Sequence, residues 1–287
     1  MKPTFVYEAL SWASSFLAER GRETRAAEIL MKHRLGVSNW TEFHFMRREK
    51  LPEGVWETYY EDIVAHSTGV PIQHRTGVEE FFGRTFHVSS DVLIPRPETE
   101  ELVNGVIEWG RQRQHPLTVC DIGTGSGAIA VTLALELRGV SVTAVDINEA
   151  ALDTAKSNAS LHGASVTFLQ GDLVQPILQQ NKRFDVIVSN PPYIPKADWE
   201  QLDTLVKDHE PELALIGSDD DGLYCYRAIA DKLPRVLKEN GLAAFEVGEN
   251  QAEQTAKILK EALPQAAVNI YRDINGKERM VFCERRA

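Results

Sequence analysis

The sequence predicts an α/β protein: a doubly wound, mostly parallel sheet with an antiparallel edge, preceded by an N-terminal helical bundle. Three features point to it. From residue 117 onward, short apolar strands alternate with amphipathic helices, the pattern of a sheet covered on both faces. The first of those strands runs into a glycine-rich turn, "CDIGTGSGAIA", that opens a helix. The opening 70 or so residues instead repeat apolar positions at helical spacing.

The elements follow in order. Val6, Leu10, Ala13 and Leu17 mark a first helix ended by Gly21, and "RETRAAEILMKHRLG" a second closed by Gly36. Ser38 is placed to cap a third, "NWTEFHFMRRE", and "PEGVWETYYEDIVAHSTG" gives a fourth with Pro52 near its start. Between 71 and 98 the texture changes: "FFGRTFHV" and "DVLIP", separated by polar residues, predict a hairpin. The expected organisation is a helical bundle over 1–75, a hairpin linker over 76–98 and an α/β domain over 99–287. In that last part a helix starts after Pro97, with glutamates near its positive end. The strands are "LTVCDIG", "SVTAVDI", "VTFLQGD", "FDVIVSN" and "LAAFEVGE", with helices over 126–137 and 149–162 between them. A later helix contains Pro234, where a kink is expected, and the tail predicts a hairpin turning at Asn275-Gly276.

Composition narrows the function classes. With 287 residues and 43% hydrophobic content, the chain can bury a substantial core. It contains no apolar run of the ~18 residues that a membrane span needs. Its start lacks the basic head and apolar stretch of a signal peptide, so a cytoplasmic protein is expected. Cys120, Cys225 and Cys283, odd in number and widely spaced, predict free buried thiols. Residues 1–90 hold 11 Lys and Arg against 12 Asp and Glu; the remainder holds 20 against 30, a net charge of −10. An acidic catalytic half grips a phosphate backbone poorly, which favours a protein or small-molecule substrate. No histidine cluster suggests a metal, and the usual hydrolase and nucleotide triphosphatase motifs are missing.

Two stretches carry chemistry. Gly123, Gly125 and Gly127 let the chain turn sharply and let a ligand approach the backbone. Asp146, at the end of the second strand of the alternating part, is spaced to accept both hydroxyls of a ribose; Asp172, ending the third, can face an adenine amino group. Those groups suit NAD or S-adenosylmethionine equally. The choice comes from "VIVSNPPYIPK", where an apolar strand runs into Asn190-Pro191-Pro192-Tyr193. The prolines fix their φ angles and remove two N–H donors, and Asn190 is held extended before them. A dehydrogenase needs a proton-transfer group, which this turn does not offer. A planar, unreactive NH₂ needs two acceptors, and the Asn190 side chain and the Pro191 carbonyl can supply them while Tyr193 lies on the flat face.

"DIGTGSG" together with "SNPPYIP" resembles class I S-adenosylmethionine-dependent methyltransferases that act on planar amino nitrogens. With "VLIPRPETEELV", "EPELAL" and the helical N-terminus, the chain resembles the peptide chain release factor N5-glutamine methyltransferase family over nearly its whole length. That resemblance implies a seven-stranded Rossmann-like sheet and methylation of the glutamine in the Gly-Gly-Gln motif of class 1 release factors. It implies S-adenosyl-L-methionine as cofactor and S-adenosyl-L-homocysteine as product, bound by Gly123, Thr124, Gly125, Ser126, Gly127, Asp146, Asp172, Leu173 and Asn190. Asn190 and Pro191 then bind the glutamine amide, with Pro192 beside them and Tyr193 packed on it. The expected protein is a monomer that needs neither nucleic acid nor membrane. The related enzyme for a glutamine of ribosomal protein L3 usually differs in "RPETE". Methylation of an amino group in nucleic acid is the other alternative, which the acidic charge disfavours. Two departures stand out: His74 and Arg75, where the family more often has Tyr and an aliphatic residue, and His209 in place of an aromatic. Glu246 and Glu249 are expected to be solvent-facing or structural.

Overall fold

The computed structural model describes residues 2–37, 39–201, 210–217 and 219–286. They fall into two compact units that divide after Val78.

The first unit is helical: α1 Val6–Ala18, α2 Arg25–Arg34, α3 Trp40–Met46, α4 Val55–Ser67 and the short α5 Ile72–Thr76. Leu10, Leu17, Leu30, Met31, Phe43 and Ile63 fill its core, as the 3.6-residue spacing requires. Ser38 and His209 lie outside the described residues; the side chain that caps α3 is Asn39, which accepts from the Glu42 N–H at 2.8 Å. Arg75 finds a clear role. Its Nε donates to Asp62 Oδ1 at 2.8 Å, and Arg34 donates to both oxygens of the same buried carboxylate.

The hairpin β1 Val78–Phe81 and β2 Arg84–His87 starts on the last residue of the first unit and otherwise belongs to the second, turning at Phe82 and Gly83, both with positive φ. "DVLIP" is not a strand: Val92 and Ile94 are buried as single anchors in an irregular segment leading to α6 Pro97–Arg111. Next come β3 Thr118–Ile122, α7 Ala128–Glu136, β4 Ser141–Asp146, α8 Glu149–His162, β5 Val166–Gln170, α9 Gln175–Gln179 and β6 Phe184–Ser189. A 3-10 turn, Lys196–Gln201, and a one-turn helix α10 Glu212–Leu215 precede α11 Tyr224–Val236, β7 Leu237–Glu246, α12 Ala252–Ala262, β8 Ala267–Arg272 and β9 Glu278–Glu284. Pro234 stands in the last turn of α11, two residues before the helix ends. The three cysteines are free and buried.

The seven strands lie in the order β5-β4-β3-β6-β7-β9-β8, parallel up to β7 and antiparallel at the β9-β8 edge. One face packs under α6 and α7 and the other under α11 and α12, which is why the central strands are apolar throughout. The chain leaves β3 toward β4 and β5, then returns to β6 on the other side of β3. The two strand ends at this switch point pair in register, Ile122 opposite Ser189, and the Ser189 hydroxyl donates to the Ile122 carbonyl at 2.7 Å. A crevice must open there.

Candidate active site

The glycine loop leaves β3 at that point and "NPPY" leaves β6 beside it. The loop is fixed from below: the Gly123 and Thr124 N–H groups both donate to the Val145 carbonyl, at 2.9 and 3.0 Å. Asp146 holds its rim, with one carboxylate oxygen accepting the Gly125 N–H at 2.8 Å and the other the Asn148 N–H at 2.9 Å. Burial raises the Asp146 pKa, opposed by these donors. The buried Asn158 ties the loop to β2 by donating to the carbonyls of Ser126 and His87.

A cleft of about 390 Å³ opens over this loop. Of the residues singled out in the sequence, Gly123, Thr124, Gly125, Ser126, Asp146, Asp172, Leu173, Asn190 and Pro192 line it. Gly127, Pro191 and Tyr193 are not among the residues that line it. Gly127 is the N-terminal cap of α7, packed against Ala155. Pro191 is buried, and Tyr193 leans on Gly248. At Gly123 and Gly125, both at positive φ, an added Cβ would meet no atom within 4 Å, so the bare backbone faces open space. The loop, the cleft and the carboxylate at its edge therefore fit a nucleoside-bearing cofactor.

The "NPPY" turn is clamped. Gln251 donates from Nε2 to the Tyr193 carbonyl at 2.8 Å and to the Asp221 carbonyl at 3.0 Å. Ile194 bridges to Leu215 and Gly217 through its N–H and carbonyl. A Cβ at Gly222 would stand 2.1 Å from the Tyr193 oxygen, so only glycine lets the two segments close. Burial pushes the Tyr193 phenol up to about 12, and the nearby Glu246 adds to the rise.

Asn190 turns its Nδ2 toward Thr99, donating to the hydroxyl oxygen at 3.3 Å. Its Oδ1 is shielded from water and has no hydrogen-bond partner among the described residues. A buried acceptor left unpaired is costly, about 1–3 kcal/mol, and this one belongs to a residue that lines the cleft. Thr99 in turn donates to Glu246 at 2.7 Å. Glu246 is 3% exposed, so of the two expectations for it the solvent-facing one is wrong. Glu249, in contrast, is exposed and paired with Lys277. Burial raises Glu246 to about 7.

Sequence reasoning missed Thr99, Asp121 and Asn158, whose partners are set only by the fold. Asp121 ends buried under the loop, accepting from the Thr124 hydroxyl at 2.6 Å, and burial raises it to about 7. Its other oxygen has no partner among the described residues. Arg96 lines the cleft and pairs with the buried Glu210. A buried acid so close to the glycine loop was foreshadowed only by "CDIG", in which an acid sits inside an apolar strand.

Known proteins resemble this chain along nearly its whole length. The family description "Methyltransferase domain" matches residues 114–281, and "PrmC N-terminal domain" matches 8–77. A release factor glutamine methyltransferase of Bacillus cereus is 49% identical over 97% of this chain and 99% of its own, and one of Bacillus subtilis is 43% identical over 96% of both. Among solved structures, a T. thermophilus 16S rRNA N2 G1207 methyltransferase in complex with AdoMet and guanosine superposes with a TM-score of 0.52 at 19% identity, covering 73% of this chain and 50% of its own. That likeness concerns the fold. Identity this high along the whole length, carried by both units, leads to one conclusion: the chain belongs to the release factor glutamine methyltransferase family.

Proposed function

We propose that the protein methylates the side-chain amide nitrogen, N5, of the glutamine in the Gly-Gly-Gln motif of class 1 release factors. The single observation that carries the chemistry is the buried, unpartnered Oδ1 of Asn190, on a residue that lines the same cleft as the glycine loop. Gly123 to Gly127, Asp146, Asp172 and Leu173 hold S-adenosylmethionine. Bound there, the cofactor supplies an electrophilic methyl group.

The residues of the chain do the rest by positioning. The Asn190 Oδ1 accepts one N–H of the glutamine amide; the Pro191 carbonyl, on the next residue of the same turn although outside the cleft lining, is the second acceptor we propose. Two fixed N–H directions orient the nitrogen lone pair, and they favour the charge that develops on nitrogen as it bonds to carbon. Tyr193 packs near the amide and stays neutral, because its phenol titrates at about 12. The alkylated amide nitrogen is a strong acid and loses its proton to solvent, so no dedicated base is required. Orientation of this kind can supply ~7–11 kcal/mol of a barrier.

The helical first unit serves to dock the release factor. We further infer a cytoplasmic monomer that makes no direct contact with nucleic acid; among the described residues, no helix is long and apolar enough to cross a membrane. The test is incubation with labelled S-adenosylmethionine and purified release factors, ribosomal protein L3 and RNA, followed by mass spectrometry. A single methyl on the Gly-Gly-Gln glutamine is expected. Label in L3 or RNA, with none in the release factors, would overturn the assignment.

A further inference from the structure

We propose that Thr99 and Glu246 are positioning residues that decide which end of the Asn190 carboxamide is left free for the substrate. The inference rests on the proposed function above. The three side chains form one chain of hydrogen bonds. Glu246 Oε2 accepts from the Thr99 hydroxyl at 2.7 Å, and Thr99 Oγ1 accepts from Asn190 Nδ2 at 3.3 Å. Thr99 and Glu246 are 5% and 3% exposed, so water does not compete for these bonds.

A carboxamide has a donor end and an acceptor end of nearly the same shape. Packing alone barely distinguishes them. The acceptor must be free if it is to receive an N–H from a glutamine amide. A carboxylate at 246 can only accept, so it draws the Thr99 proton. The Thr99 oxygen, its proton committed, can then only accept, and it selects the NH₂ end of Asn190. Oδ1 is left without a partner, as observed. Polarity therefore passes from Glu246 through Thr99 to the reacting site, and the Asn190 amide, which also lies close enough to Glu246 to favour its carboxylate, feels the same charge directly.

The relay has a protonation sense. If Glu246 carries a proton, it donates to Thr99 Oγ1, and the Thr99 proton turns toward Asn190, where Oδ1 satisfies it and NH₂ does not. The acceptor is then lost. Burial raises the Glu246 pKa to about 7. The charges that face it are Arg279 from β9, which favours the carboxylate, and Glu98 from α6, which opposes it. Tyr226 donates its hydroxyl to the Glu246 main-chain oxygen at 2.8 Å, and both Tyr226 and Tyr193 remain neutral. Methyl transfer should therefore rise with pH as Glu246 ionises.

The experiment compares wild type with Thr99→Val, Thr99→Ser and Glu246→Gln in methyl transfer to a purified release factor, across about pH 5.5 to 8.5. Thr99→Val keeps the shape and removes the relay; kcat should fall tenfold or more, at roughly unchanged cofactor affinity, and Thr99→Ser should restore it to within about threefold. Glu246→Gln should stay active, because its amide oxygen can accept from Thr99, but lose the inflection near pH 7. A Thr99→Val enzyme as fast as wild type, or a Glu246→Gln enzyme with the same inflection, overturns the relay. A second readout needs no turnover: the Asn190 side-chain amide protons, followed by NMR, should exchange faster in Thr99→Val than in wild type. If wild type fails to methylate release factors, the substrate assignment falls, and the exchange rates alone decide the relay: equal rates reject it.

Discussion

At Asn190 the backbone constraint was legible, because two prolines after an apolar strand fix the turn that it opens. What the sequence could not disclose was the direction of its amide, which depends on Thr99, 91 residues away, and on Glu246. Asp121 was hidden for a similar reason. Its burial is a property of the assembled sheet. Its pKa of about 7 against an ordinary 3.8 means that the folded protein keeps a proton the unfolded chain releases. The sign follows: stability is fully present below the ordinary 3.8, is lost as pH rises from there to about 7, and changes no further above it. Asp121→Asn cannot ionise. Its Tm relative to wild type, measured by calorimetry without cofactor, should therefore climb between about pH 5 and about pH 8. A flat difference would show that Asp121 is already ionised at the lower pH.

At the scale of elements, periodicity was a good guide where neighbours agree with local preference. The bounds of α8 and the turn at Asn275-Gly276 were readable from spacing and turn residues. The segment around "DVLIP" was not, because its alternation reflects two anchoring side chains in an irregular run, and no strand among the described residues pairs with it. The Asp62 clamp was also unforeseen: it converts the unusual Arg75 into the second partner of a buried carboxylate. Asp62→Ala strands two arginines and should destabilise the helical unit by about 3–5 kcal/mol in urea unfolding. A loss of only a few tenths would mean that both guanidinium groups find water instead. Gly222→Ala should loosen the clasp on the "NPPY" turn, because its Cβ would collide with the Tyr193 carbonyl. The expected signature is a lower kcat with little change in cofactor affinity, read by kinetics and calorimetric titration.

The whole molecule joins a helical unit to an acidic catalytic unit, and that order was evident from composition and periodicity. Exposed aromatics on the helical unit, Phe45 at 73% and Trp40 at 44%, are poor candidates for solvent and good ones for a protein partner. Phe45→Ser should raise KM for an intact release factor several-fold, by ~1–2 kcal/mol of lost contact, and leave KM for a short Gly-Gly-Gln peptide unchanged. Equal effects on both substrates would place Phe45 outside the docking surface. The most direct test of the account is the single-turnover rate of methyl transfer to a release factor by Asn190→Ala, with the enzyme saturated in cofactor. A fall of about 100-fold or more, at a cofactor Kd close to that of wild type, is the predicted result. An undiminished rate would contradict the claim that the Asn190 carboxamide holds the nitrogen that is methylated.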